Sequence, residues 1–110
     1  MKTKVTVDGG ICGFQTNIHA ESDDSQNVTL KIVSGCEKAR GFGDALTASG
    51  TVDGYAEIGA GADGVILTAA RQNLKGCCAA CAVPIGAFKA MQVAAGVALP
   101  KDVTLKMTSE

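Results

Sequence analysis

The hydrophobic period of this chain changes near residue 35, and that change constrains the fold more than any other feature. Before it, apolar residues recur at every second position; from there to about residue 99 they recur at every third or fourth. In "KVTV", Thr3, Val5 and Val7 share a face while Lys4 and Thr6 take the other, which is the pattern of a half-buried strand. "DGG" (Asp8, Gly9, Gly10) is a hairpin turn signal. The returning stretch "ICGFQTNIHA" puts Cys12, Phe14, Thr16, Ile18 and Ala20 on one face, so Cys12 is expected to point into the core. Gly13, Gln15, Asn17 and His19 fall on the other face. After the polar loop "ESDDSQ", "NVTLKIVS" gives a third strand with Val28, Leu30 and Ile32 inward.

"SGCE" then matches the S-x-x-E capping box, with Ser34 as N-cap and Cys36 at the second helical position. Ala39, Phe42 and Leu46 continue at helical spacing. Residues 49–62 carry four glycines and read as a loop, with a short extended or helical piece around Tyr55 to Ile58. "ADGVILTAARQNLKG" predicts a second helix, capped by Asp63, with Lys75 suiting its negative end and Gly76 its stop. Pro84 suits the first turn of a third helix whose stripe is Phe88, Met91, Ala95 and Leu99 and which Pro100 ends. "DVTLKM" alternates again, so Val103, Leu105 and Met107 are expected to face inward on a last strand that joins the sheet. The order β-β-β-α-α-α-β predicts an α+β single domain over residues 1–110: a mostly antiparallel four-stranded sheet with helices on one face.

Several classes of partner are excluded. The net charge is −1 with acids and bases interspersed, so no basic stripe serves nucleic acid or an anionic membrane surface. The aromatic residues Phe14, Phe42, Tyr55 and Phe88 are too few for a base-stacking platform. "MKTKVTVDGG" has no apolar core of a secretory signal, and no apolar run reaches the roughly 18 residues that span a bilayer. The cytoplasm is the expected compartment, and five cysteines there are thiols, ligands or redox groups rather than a disulfide framework.

Three of those cysteines crowd into "GCCAACAVP". Cys78 and Cys81 form C-x-x-C, whose short arc lets two sulfurs reach one metal or two corners of a cluster. Cys12 and Cys36 would complete a four-thiolate set, and Cys77 is a substitute for Cys78. One close pair with two distant singles suits an iron–sulfur cluster better than zinc, which is the alternative. His19, outward by parity, does not suit a mixed cysteine–histidine site. A rival reading is a thiol–disulfide oxidoreductase using Cys78 and Cys81, although the strand that precedes such a motif in a thioredoxin-like unit is missing. A third is a non-catalytic interaction module whose cysteines pack as small hydrophobes. No residue qualifies as catalytic, and a stand-alone enzyme is not expected. A redox partner protein and a second copy of the chain are the partners such a protein would take. Asp23 and Asp24 read as a solvated loop tip, and Arg40, Arg71 and Lys89 as solvated helix surface. "GGICG" and "GAGADG" lack the strand, lysine and helix of a phosphate-binding fingerprint.

"ICGF" near the first hairpin, "SGCE" at a helix start, and "CAACAVP" leading into "GVALP" together resemble a small uncharacterised family of anaerobic bacteria and methanogenic archaea, a domain of unknown function. The similarity spans nearly the whole chain. It implies that Cys12, Cys36, Cys78 and Cys81 are the family's marked positions, forming a metal or iron–sulfur site. It implies no activity, and the extra Cys77 leaves open which neighbour is the ligand.

Overall fold

The structure, a computed structural model, describes residues 1–76 and 81–110. Three strands, β1 (Lys2–Asp8), β2 (Gln15–Glu21) and β3 (Asn27–Ser34), form an antiparallel meander in which Val5, Ile18 and Ile32 lie side by side in one row. Helix α1 (Glu37–Ala48) follows, then β4 (Val52–Asp53), α2 (Gly54–Ala60), α3 (Val65–Asn73) and α4 (Val83–Ala94). The sheet order is β1-β2-β3-β4, and its pairs are antiparallel. The fold is α+β.

Alternation in the strands sets which face is covered. Thr16, Ile18 and Ala20 of β2 and Val28 and Leu30 of β3 are buried, while His19, Lys31 and Val33 are exposed on the opposite face. Helices α1 and α4 pack on the buried face, and α3 packs against both of them. Ile18, Val28, Phe42, Leu46, Ile66 and Met91 are fully buried between these layers. Each contributes about 1.5–3 kcal/mol of hydrophobic stabilisation. Helix α4 comes unusually close to the sheet at Gly86, where a Cβ would sit 2.6 Å from Val7 Cγ2 and 3.0 Å from Ile18 Cδ1.

Several expectations are corrected. The fourth strand is Val52–Asp53, inside the stretch read as a loop, so the order among the described residues is β-β-β-α-β-α-α-α. Among the described residues the "DVTLKM" segment pairs with no strand: Val103, Leu105 and Met107 are 57%, 71% and 88% exposed. Alternation specifies which face a strand buries but does not name its neighbour. Helix α4 stops before Leu99, which is 87% exposed. It ends in a Schellman motif, in which Val97 N–H donates to the Gln92 carbonyl and Gly96 N–H to that of Val93, with Gly96 left-handed. The capping box at Ser34 does not form, because Cys36 is itself the N-cap of α1.

Asp63 does not cap α3 either. The N-cap is Gly64, and the amides of Val65 and Ile66 donate to the carboxylate of Glu57 at 2.9 and 2.7 Å. Glu57 is 3% exposed and lies in α2, so one side chain joins the two helices. Its carboxylate fills the space a Gly64 side chain would need, 2.6 Å from the ideal Cβ.

Candidate metal centre

Cys12 sits in the β1–β2 connection, in a single 3-10 turn over Gly10–Cys12. Gly9 N–H donates to the Phe14 carbonyl at 2.9 Å, Gly13 N–H to the Gly10 carbonyl at 3.0 Å, and Gly10 N–H to Asp8 Oδ1 at 2.9 Å. Gly10 and Gly13 both have φ near +75°, a conformation that side chains disfavour. The turn therefore runs from Gly9 to Phe14, and β2 begins only at Gln15. This corrects the expectation for Cys12: it is exposed rather than on the core face. Its sulfur folds back over Gly9, where a Cβ would lie 2.4 Å away.

Cys36 begins α1 from an extended conformation, and its amide donates to Ser34 Oγ at 3.1 Å. Ser34 Oγ in turn shares a 2.7 Å hydrogen bond with Thr16 Oγ1, tying the helix start to β2. Arg40, one turn into α1, folds back so that Nη1 donates to the carbonyls of Ser34 and Gly35. Lys38 Nζ donates to the Lys75 carbonyl at 2.5 Å. Two cationic side chains thus flank the helix start that carries Cys36, and one of them holds the chain where it enters the cysteine run. Arg40 reads from the sequence as solvated helix surface, and Lys38 carries no local pattern that would set it apart.

Cys81 is half-buried just ahead of α4, and Val83 N–H points at its sulfur at 3.5 Å. Pro84 occupies the first turn as expected. Cys77 and Cys78 lie outside the described residues.

The three described cysteines lie at one end of the sheet. Asp8 pairs with Gln15 and Thr16 with Ser34, so the Cys12 turn and Cys36 follow strand ends that are side by side. Helix α4 runs from Val7, beside Gly86, toward Gly54 and Gln26, beside Met91 and Ala95, so its start points back to that same end. Among the described residues, however, no three His, Cys, Asp or Glu side chains are close enough to hold a metal ion. Cys12, Cys36 and Cys81 do not form such a group on their own. His19 is on the far face, as expected.

The opposite end of the sheet is held by carboxylates. Asp24 accepts from the Asn27 side chain and from the amides of Asn27 and Gln26, and these bonds, the Asn27 side chain first, hold its carboxyl well below the usual value. Asp53 is lowered chiefly by the Gln26 side chain and then by the Ala56 amide at the start of α2. Both serve to fix turns. A shallow groove between α1 and α3 is lined by Ala45, Ala48, Val65 and Thr68, with no cysteine among its described residues. No helix among the described residues is long and apolar enough to cross a membrane.

No curated protein and no solved structure matches the chain. A family model does, over residues 3–107, which takes in the Cys12 turn, the Cys36 helix start and the cysteine run alike. By that match the chain belongs to the family of unknown function DUF6951.

Proposed function

We propose that this is a small cytoplasmic protein that binds an iron–sulfur cluster, or zinc in its place, through Cys12, Cys36, Cys81 and one of Cys78 and Cys77. The observation that carries the proposal is the placement of three chain-distant thiols at one end of the sheet, two of them at helix starts. Free helix amides and the nearby Lys38 and Arg40 favour an anionic ligand set there. Gly9, having no side chain, leaves the space that the Cys12 sulfur occupies. When bound, a cluster supplies one-electron chemistry, and zinc supplies a cross-link between turn and helices. An anaerobic host would keep such thiolates reduced. The protein would act with a redox partner rather than as a stand-alone enzyme.

The test is strictly anaerobic purification followed by iron, zinc and sulfide analysis, on the wild type and on Cys36→Ser. Matching iron and sulfide in the wild type, with strong loss in the variant, supports a cluster, and one zinc per chain supports the cross-link. Neither metal, with a reversible disulfide between Cys78 and Cys81, moves the function to thiol–disulfide exchange, the reading favoured by the amide donated to Cys81 Sγ.

A further inference from the structure

Residues 102–107 have the pattern of a strand but pair with no strand among the described residues. Val103, Leu105 and Met107 are all more than half exposed, on a segment that leaves the body of its own copy after Gly96. The segment is not an appendage, because the family match runs through residue 107. The sheet meanwhile ends at β1, a seven-residue strand whose outer edge is unpaired among the described residues. On its covered face Thr3, Val5 and Val7 are only half-buried. A long open edge of this kind invites another strand.

We propose that residues 102–107 of one copy add to the β1 edge of a second copy, in an exchanged, two-fold dimer. Charge selects the direction. In a parallel register, Val103 and Leu105 lie beside Val5 and Val7, Thr104 beside Thr6, Asp102 beside Lys4 and Lys106 beside Asp8. The antiparallel register that aligns the same apolar residues sets Asp102 against Asp8 and Lys106 against Lys4. Opposite charges on neighbouring strands stabilise and like charges destabilise, so the parallel arrangement is the one used. Two tails and two edges satisfy each other, which closes the assembly at two copies. Residues 97–101, which include Pro100, form the connection that swings the tail across. Exchange of identical elements through such a connection is a low-cost route to a dimer.

The experiment is light scattering across a concentration series, with amide exchange on the same samples. The wild type is expected to be dimeric, with residues 102–107 and β1 protected. Leu105→Lys should weaken the dimer about 100- to 10,000-fold, because an exchanged dimer loses the burial of two leucines, one on each edge. It should keep the far-ultraviolet spectrum of the wild type, since Leu105 is 71% exposed within its own copy. Asp102→Lys should also weaken it, and Lys4→Asp added to Asp102→Lys should restore it. A monomer with an unprotected tail overturns the proposal, as does a monomer whose tail is protected on its own β1 edge. A dimer indifferent to Leu105→Lys overturns it as well.

Discussion

Replacing Glu57 by glutamine changes one oxygen to an amide nitrogen at a buried position and tests how α2 and α3 are joined. The carboxylate accepts from Val65 N–H and Ile66 N–H, 2.9 and 2.7 Å away. Glutamine keeps a single acceptor, so one amide loses its partner and faces an NH2 donor instead. Losing a hydrogen bond to a charged group costs about 1.5–3 kcal/mol. The surviving bond becomes neutral and weakens by roughly half, and the favourable charge at the start of α3 disappears at about 0.5 kcal/mol. The sum is roughly 3–5 kcal/mol, a large share of the roughly 5–15 kcal/mol that holds a domain together. With a urea slope of about 1.5 kcal/mol/M, the unfolding midpoint should fall by about 2–3 M at unchanged slope. A shift below about 0.3 M would refute the claim that Glu57 caps α3.

Other expectations follow from single contacts. Gly86→Ala should cost about 1–3 kcal/mol in urea unfolding, because its Cβ would overlap Val7 and Ile18. Gly59→Ala, in an open position of α2, should be neutral or stabilising by up to about 1 kcal/mol. Asp24 and Asp53 have folded-state pKa values below the usual 3.8, so their contribution is full above about pH 4 and is lost as pH falls through the folded values. Asp24→Asn with Asp53→Asn should therefore flatten the fall of the urea midpoint between pH 4 and 2, and an unchanged profile would contradict this. Gly9→Ala should push the Cys12 sulfur off its perch and speed its reaction with a thiol reagent in metal-free protein, leaving Cys36 and Cys81 unaffected.

The strand faces were legible because period two is enforced by a one-sided core: Thr16, Ile18, Ala20, Val28 and Leu30 are buried as their alternation demands. The helical stripes were legible for the same reason at Phe42, Leu46 and Met91. What local pattern could not reveal was set by backbone freedom or by distant partners. Two left-handed glycines lengthened the first turn and took Cys12 out of the strand, although its parity with Ile18 was sound. The cap on α3 comes from eight residues upstream, beyond any capping-box window. Strand β4 is two residues long and has no period to read. Of the candidate ligands, the sequence correctly put Cys36 and Cys81 beside helix starts; it did not show that Lys38 and Arg40 fold back around the first of them.

The four-cysteine site is tested most directly by X-ray absorption at the iron and zinc edges on the anaerobically purified protein. The expected nearest neighbours are all sulfur, with zinc–sulfur at about 2.3 Å if zinc is the metal and with neighbouring iron atoms if it is a cluster. Cys36→Ser should remove the sulfur-only shell. A shell of nitrogen and oxygen, or no bound metal, would contradict the four-cysteine site.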